Sequence, residues 1–244
     1  MRVECLAYGG RHLHAPDPAM PALRVRGLEV GYGRAGGAVL TKVAFDLPVG
    51  ARLALVGPNG SGKSTLLKTI AGLLEPRAGE IRVFGLKVGA CHHRTSYLPQ
   101  REEIVWSFPV SVERFVMAGR YVHCGWLTRP SATDRAVVGA TLDELELTPL
   151  RHTPIAELSG GQKQRMMLAR AVAQGSDLLL LDEPLNAVDA ATRAIVARLL
   201  ARLQAEGKSM IVSTHDVGLH DHPFDGVLAL EGGRVEVQPY AVAH

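Results

Sequence analysis

Residues 57–64, Gly-Pro-Asn-Gly-Ser-Gly-Lys-Ser, have the residue types and spacing of a loop that binds phosphate groups. Its glycines let successive backbone N–H groups point into one concavity, and a following helix adds partial positive charge. Lys63 would reach the β- and γ-phosphates of a nucleotide, and the Ser64 hydroxyl would ligate Mg²⁺. A glycine-rich turn with an incidental lysine is the alternative. The candidate nucleotide-binding residues are Gly57, Pro58, Asn59, Gly60, Ser61, Gly62, Lys63, Ser64 and Thr65.

A second stretch, Leu-Ser-Gly-Gly-Gln at 158–162, predicts another anion-binding helix N-terminus. Its serine is suited to cap the helix predicted over 162–174. The candidate residues of this stretch are Ser159, Gly160, Gly161 and Gln162. Two phosphate-binding elements in one chain weaken the interpretation of either one as an accidental turn.

Four polar side chains follow predicted strands, where ligands gather in α/β sheets. Asp182 ends an apolar strand and suits an indirect Mg²⁺ contact, while Glu183 suits polarising a water molecule. Gln100 could reach the Mg²⁺ ion or the attacking water. His215 also follows a buried strand, which favours a functional role over a structural one. Asp189 closes the loop that precedes the next amphipathic helix.

Tyr32 stands at the end of the first predicted strand pair, before the phosphate loop. An aromatic ring there could stack on the adenine of a bound nucleotide. The alternative is a partly buried tyrosine of a turn.

The elements that must position these residues alternate between strands and helices, which predicts an α/β fold. A weakly ordered extension is expected over 1–21 and a single domain over 22–240, with a helical subdomain inserted at about 101–157. The predicted strands are 23–30, 39–47, 51–56, 81–84, 95–98, 177–182, 210–214, 227–230 and 234–237. The predicted helices are 64–71, 111–119, 132–147, 162–174 and 190–203.

Bulk properties narrow the class of protein. The 244 residues are 47% hydrophobic and 21% charged, as in an ordinary globular domain. A net charge of +3 without a basic block gives little support to a nucleic-acid partner. The three cysteines form no C-x-x-C pair, which suits a reducing cytosol. No apolar run reaches the ~18–20 residues of a membrane span and no signal peptide is expected, so any pore must come from another chain.

Two sets of residues have the types of metal ligands: His12 with His14, and residues 91–93 with 123–124. An ordinary polar tail and unconnected side chains are the favoured alternatives. His12 and His14 lack a third ligand, and neighbours such as residues 91–93 point to opposite faces of an extended chain, so a shared site would depend on the tertiary fold. Five of the twelve aromatic residues lie within 101–157. They could be core or could form a groove for a partner helix, and the sequence leaves both open.

These motifs, in this order, resemble the ATP-binding cassette family over about residues 23–237. The resemblance implies a P-loop NTPase (RecA-like) core with an antiparallel β subdomain and an inserted α-helical subdomain. It also implies an ATPase that works as a head-to-tail dimer with ATP and Mg²⁺. Each ATP would lie between the phosphate loop of one chain and Ser159 and Gly161 of the other. Glu183 would be the general base, His215 would orient the γ-phosphate, and Asp182, Ser64 and Gln100 would serve Mg²⁺.

A finer resemblance, to the manganese, zinc and iron branch of these importers, rests on residues 98–110, 117–121 and 125–130. It implies an ATPase subunit at the cytoplasmic face of the cell membrane, an integral membrane permease and an extracytoplasmic metal-binding protein. The 1–21 extension and the 185–189 loop, Leu-Asn-Ala-Val-Asp rather than the commoner S-A-L-D form, depart from the family pattern. The alternatives are an importer of an iron chelate, haem or cobalamin, and a soluble ATP-driven clamp.

Overall fold

The computed structural model describes residues 19–33, 36–89, 92–100, 104–124, 129–186, 188–215 and 224–239. The predictions for residues 1–18, Cys91 and Trp126 lie outside these ranges. The strands are β1 Leu23–Val30, β2 Leu40–Leu47, β3 Arg52–Val56, β4 Ala78–Val83, β5 Leu86–Lys87, β6 Thr95–Leu98, β7 Leu178–Asp182, β8 Ser209–Ser213, β9 Gly226–Glu231 and β10 Arg234–Pro239. The helices are α1 Lys63–Ile70, α2 Val112–Met117, α3 Ala132–Glu144, α4 Gly160–Ala173 and α5 Ala190–Ala205.

The central sheet has six strands in the order β10-β9-β3-β8-β7-β6. Strands β9, β3, β8, β7 and β6 run parallel, and β10 folds back antiparallel to β9. The carboxyl ends of the parallel strands therefore meet at one edge of the sheet. The loops after β3, β6, β7 and β8 carry the predicted site residues, so the topology brings these loops to the same edge.

A second sheet, ordered β2-β1-β4-β5, is antiparallel throughout. The α/β architecture with an antiparallel β subdomain is thus confirmed. The short strand β5 was not predicted, because two residues are too few for a periodic pattern. β4 begins at Ala78, three residues before the predicted start at residue 81, since its first residues pair with β1.

Strand β7 shows how the central sheet divides the core. Its consecutive leucines alternate between faces, as side chains do along any strand. Leu178 and Leu180 join the cluster packed with α1 and the antiparallel sheet, whereas Leu179 and Leu181 pack with the helices α2 to α5. All four leucines are buried.

Hydrogen bonds at the helix ends explain the boundaries of the helices. Ser131 and Ser159 both form capping boxes, each with the residue three positions further on. Helix α3 ends at Glu144, three residues before the predicted end, because Glu146 adopts a left-handed conformation and the Leu147 N–H bonds back to the Leu142 carbonyl. Helix α2 is also shorter than predicted, since the chain tightens into a 3₁₀ helix over Ala118–His123.

Within the described ranges, no helix is both long enough and apolar enough to cross a membrane.

Candidate nucleotide site

The phosphate loop forms a tight turn between β3 and α1. Gly62 adopts a φ of 107° and occupies the N-cap of α1, a conformation that favours glycine. At Gly57, an added Cβ would lie 2.4 Å from the Leu230 carbonyl oxygen on β9. Side chains are therefore excluded from both ends of the loop.

The Lys63 ammonium is buried, and its Nζ donates to the backbone carbonyls of Gly57 at 2.7 Å and Pro58 at 3.1 Å. Among the described residues, no carboxylate forms an ion pair with it. Ser61 Oγ is also buried, without a hydrogen-bond partner in the described part of the chain. A buried cation and a buried unsatisfied hydroxyl are costly unless a ligand uses them. The loop is therefore suited to an anion.

Two of the predicted metal-binding side chains, those of Ser64 and Gln100, lie close together at this loop. The Gln100 amide is within 3.5 Å of Ser64 Oγ. Asp182 ends β7, which pairs with β6 in a register that places Leu181 opposite Leu98. A hydroxyl, an amide and a carboxylate are the oxygen ligands that Mg²⁺ prefers. These residues therefore fit Mg²⁺ as well as the phosphates of a nucleotide.

Asp182 and Glu183 share a hydrogen-bonding partner, Ser213 at the end of β8. The Ser213 hydroxyl donates to Asp182 Oδ1 at 2.6 Å and accepts the Glu183 backbone N–H at 2.9 Å. Tyr97 donates to Asp182 Oδ2 at 3.4 Å. Ser213 was missed by the sequence reasoning. Its only signal is a hydroxyl that directly follows the apolar run Met210–Val212.

The Glu183 carboxylate is held on both of its oxygens. His215 Nε2 lies 2.7 Å from Oε1, and Asn186 Nδ2 donates to Oε2 at 2.8 Å. The Glu183 backbone is left-handed, with a φ of 52°, which is uncommon for a residue other than glycine. The sequence reasoning paired Glu183 with His215 in one site, and it missed Asn186.

Tyr32 is 55% exposed, and its hydroxyl lies 3.0 Å from Thr65 Oγ1 on α1. Its ring is therefore tethered beside the helix that follows the phosphate loop. The position leaves a face of the ring accessible to a planar ligand.

The second anion-binding element stands at the start of α4. Ser159 Oγ accepts the Gln162 backbone N–H, and the Gln162 side chain accepts the Ser159 N–H. Ser159 and Gly160 are exposed at this helix end. At Gly161, an added Cβ would lie 2.6 Å from Thr192 Oγ1 and 3.0 Å from Asp189 Oδ2.

Asp189 thus connects the starts of α4 and α5. It caps α5 by accepting the Thr192 N–H at 2.7 Å. That backbone hydrogen bond holds the pKa of Asp189 below its ordinary value. The hydrogen bonds described above join Ser64 with Gln100 and Glu183 with His215, but none joins the phosphate loop to Ser159–Gln162.

The metal-site hypothesis for residues 91–93 and 123–124 gains no further ligand within the described residues. The rings of His93 and His123 lie with centroids 6.4 Å apart, and His123 Nε2 is 2.6 Å from the Gln174 carbonyl oxygen. Across the ranges that the structure covers, no three His, Cys, Asp or Glu side chains come together as metal ligands. His12, His14 and Cys91 lie outside those ranges.

Some aromatic residues of 101–157 belong to the core, and others are exposed as a partner-binding groove would require. Trp106 and Phe115 are partly buried and pack against the helical core. Phe108 is 63% exposed, Tyr121 is 51% exposed and Val105 is 71% exposed. The segment therefore contributes to the core and also presents an apolar surface.

Comparisons with known proteins agree with this geometry. The family model described as "ABC transporter" matches residues 40–186. The zinc transport ATP-binding protein TroB of Treponema pallidum is 43% identical over 79% of this chain and 72% of its own. The manganese transport ATP-binding protein MntA of Synechocystis is 44% identical over 80% of this chain and 75% of its own.

Among solved structures, an inward-facing ABC transporter described as of metal-chelate type aligns with a TM-score of 0.76 and 32% identity. The alignment covers 89% of this chain and 83% of that one. The match of the family model, the identity with transport ATP-binding proteins and the phosphate-loop geometry lead to one conclusion. This chain belongs to the ATP-binding cassette family and is an ATPase of that family.

Proposed function

We propose that this chain hydrolyses ATP to drive the import of a divalent metal ion, manganese, zinc or iron, through a separate membrane permease. The observation that carries the ATPase part is the placement of Lys63, Ser64 and Gln100 with the Glu183–His215 pair at one edge of the parallel sheet. The relatives named for zinc and manganese transport support the metal cargo.

In the proposed reaction, a water molecule attacks the γ-phosphorus and gives its proton to Glu183. The bond between the γ-phosphorus and the bridging oxygen breaks, and its electron pair leaves with ADP. Lys63 and the loop N–H groups hold the β- and γ-phosphates, and His215 orients the γ-phosphate. Mg²⁺, held by Ser64, Gln100 and Asp182, would neutralise negative charge on the phosphates. Tyr32 would stack on the adenine ring.

The signature residues Ser159, Gly160, Gly161 and Gln162 are assigned to the nucleotide of a second ATPase subunit in a head-to-tail dimer. The exposure of Ser159 and Gly160 supports this assignment, because a second chain can approach that helix end. Asp189, the N-cap residue of α5, lies beside the same end of α4. It would couple the position of α5 to the dimer interface.

The permease is assigned to the exposed apolar side chains of the 101–157 segment, those of Val105, Phe108 and Tyr121. These side chains are more than half exposed. They lie in the segment between Gln100 and α3. A membrane subunit bound there would contact a segment that continues directly from Gln100, which is assigned to Mg²⁺. Through that permease the ATPase would sit at the cytoplasmic face of the cell membrane, and an extracytoplasmic binding protein would deliver the metal.

Two substitutions test the ATPase assignment. We expect Glu183→Gln to give a stable ATP-bound dimer with little turnover, because the base is lost and the fold kept. Brisk hydrolysis by this variant would contradict the base assignment. We expect Ser159→Arg to abolish turnover while the isolated chain still binds ATP. Loss of ATP binding would contradict action of the signature across the dimer.

Purification of tagged Glu183→Gln with ATP from native membranes tests the transport assignment. Lys63→Ala is the matched control, because it removes the phosphate-binding ammonium. We expect a polytopic membrane protein to accompany Glu183→Gln, and metal analysis of the associated extracytoplasmic protein to identify the cargo. An iron chelate, haem or cobalamin in that protein would favour the other importer class. Recovery of ribosomes, DNA or soluble proteins alone would contradict transport.

A further inference from the structure

Two donors hold the carboxylate of Glu183, and only one of them is also assigned to ATP. His215 Nε2 lies 2.7 Å from Oε1, and Asn186 Nδ2 lies 2.8 Å from Oε2. In the proposed function, His215 serves the γ-phosphate. Its bond to Glu183 is therefore the one with which the substrate competes, while the bond from Asn186 has no such competitor.

We propose that Asn186 is a positioning residue for ATP hydrolysis, whose amide holds the Glu183 carboxylate in place while His215 turns to the γ-phosphate. This inference rests on the proposed role of Glu183 as the base. Asn186 acts through Glu183 and needs no contact with ATP.

The local structure makes such a restraint necessary. The Glu183 backbone is left-handed, and its N–H is fixed by Ser213 Oγ at 2.9 Å, so the direction of the Cα–Cβ bond is set. The side chain beyond Cβ still has free torsions, although only 11% of it is exposed. A donor on Oε2 removes this freedom and leaves the second lone pair of each oxygen available to accept a proton from water.

The position of Asn186 in the chain suits this task. It lies three residues after Glu183, and its backbone N–H bonds to the Glu183 carbonyl at 3.2 Å, which closes a turn. The turn brings the amide back over the carboxylate. An amide donates to a carboxylate without carrying a charge of its own, so it can hold the base without forming an ion pair with it.

The size and the donor capacity of Asn186 can be separated by two substitutions. Asn186→Ala removes the donor. Asn186→Asp keeps the size but replaces the donor with a second carboxylate close to that of Glu183. For an orienting donor, Asn186→Asp must be the more damaging change, because like charges repel. A residue that only fills space would, when truncated to Ala, lower the unfolding free energy without a selective loss of kcat.

We expect Asn186→Ala to lower kcat about tenfold with the KM for ATP within about twofold, which corresponds to about 1.4 kcal/mol in the barrier. Asn186→Asp should lower kcat by a further factor of about three or more. Gln204→Ala is the matched control, because its exposed amide donates to Asp225 at 3.3 Å away from the site. Its kcat should equal that of the wild type.

Measuring Glu183→Gln in parallel distinguishes a failure of the Asn186 proposal from a failure of the base assignment. If Glu183→Gln is inactive while Asn186→Ala retains the wild-type kcat, the role of Asn186 is wrong and the base assignment stands. An Asn186→Asp variant as active as Asn186→Ala would also overturn the role of Asn186. If Glu183→Gln hydrolyses ATP briskly, the base assignment itself is wrong. Thermal unfolding of each variant verifies that the fold is retained.

Discussion

Asp182 and Ser213 lie opposite each other on the parallel strands β7 and β8, and the Ser213 hydroxyl donates to Asp182 Oδ1 at 2.6 Å. Both residues are buried. The same hydroxyl accepts the N–H of Glu183 at 2.9 Å. One side chain therefore fixes the carboxylate assigned to Mg²⁺ and the backbone of the residue assigned as base.

We expect Ser213→Ala to lower kcat about tenfold or more, because Asp182 loses a donor and the Glu183 N–H loses its acceptor. Leaving these groups unsatisfied should also cost about 1–3 kcal/mol of unfolding free energy. Steady-state ATPase assays and urea unfolding measure the two effects.

Ser209→Ala is the matched control for that variant. Ser209 is a buried serine at the other end of β8, and its Oγ accepts the Gly50 N–H at 2.9 Å. Its loss should destabilise the protein to a similar extent with little change in kcat. An equal loss of kcat in both variants would mean that Ser213 acts through stability alone.

We expect Gly161→Ala to lower turnover at least tenfold while ATP binding by the isolated chain is kept. The added Cβ would lie 2.6 Å from Thr192 Oγ1, so the start of α4 must move away from α5. Gly139→Ala is the matched control, because its Cβ meets no atom within 4 Å and should stabilise α3 by about 0.5–1 kcal/mol. A fully active Gly161→Ala dimer would contradict the importance of this close contact.

We expect Tyr32→Ala to raise the KM for ATP about tenfold with kcat little changed, because stacking of a base on an aromatic ring contributes about 1–3 kcal/mol. Tyr32→Phe keeps the ring and loses only the hydroxyl contact with Thr65, so it should recover most of the affinity. Titration of each variant with ATP measures the effect. Equal weakening by both substitutions would assign the effect to the hydroxyl and not to stacking.

We expect the stability of the protein to fall between about pH 4 and pH 2, partly through Asp134. Hydrogen bonds from Ser131, and next the Arg120 guanidinium at 2.9 Å, lower the pKa of Asp134 to about 2. Because this pKa is lower in the folded than in the unfolded chain, protonation favours unfolding, and the stabilisation is complete only above about pH 4.

Asp134→Asn tests this contribution by urea unfolding at pH 7 and at pH 3. At pH 7 the substitution should cost about 2 kcal/mol, and the cost should shrink as the pH falls, because the wild-type carboxylate is itself becoming protonated. A cost that does not change with pH would contradict an electrostatic origin.

The sequence by itself determined the fold class and most of the strands and helices of this protein. β1 and β6 were predicted at their observed ends, since alternating or continuous apolar runs bounded by glycine and proline depend on local chemistry. The placement of Lys63, Gln100, Glu183 and His215 followed from the same logic, because the carboxyl ends of parallel strands meet at one edge.

Only the tertiary structure decided the partners of these residues. Ser213 and Asp182 are 31 positions apart, and strand register alone brings the hydroxyl to the carboxylate. The contact of Gly161 with Thr192 depends on how two helices pack, and the bond from Asn186 to Glu183 depends on a left-handed backbone at a residue other than glycine. The contacts of Ser213 and Gly161 arise from long-range geometry, which no local pattern of residue types encodes.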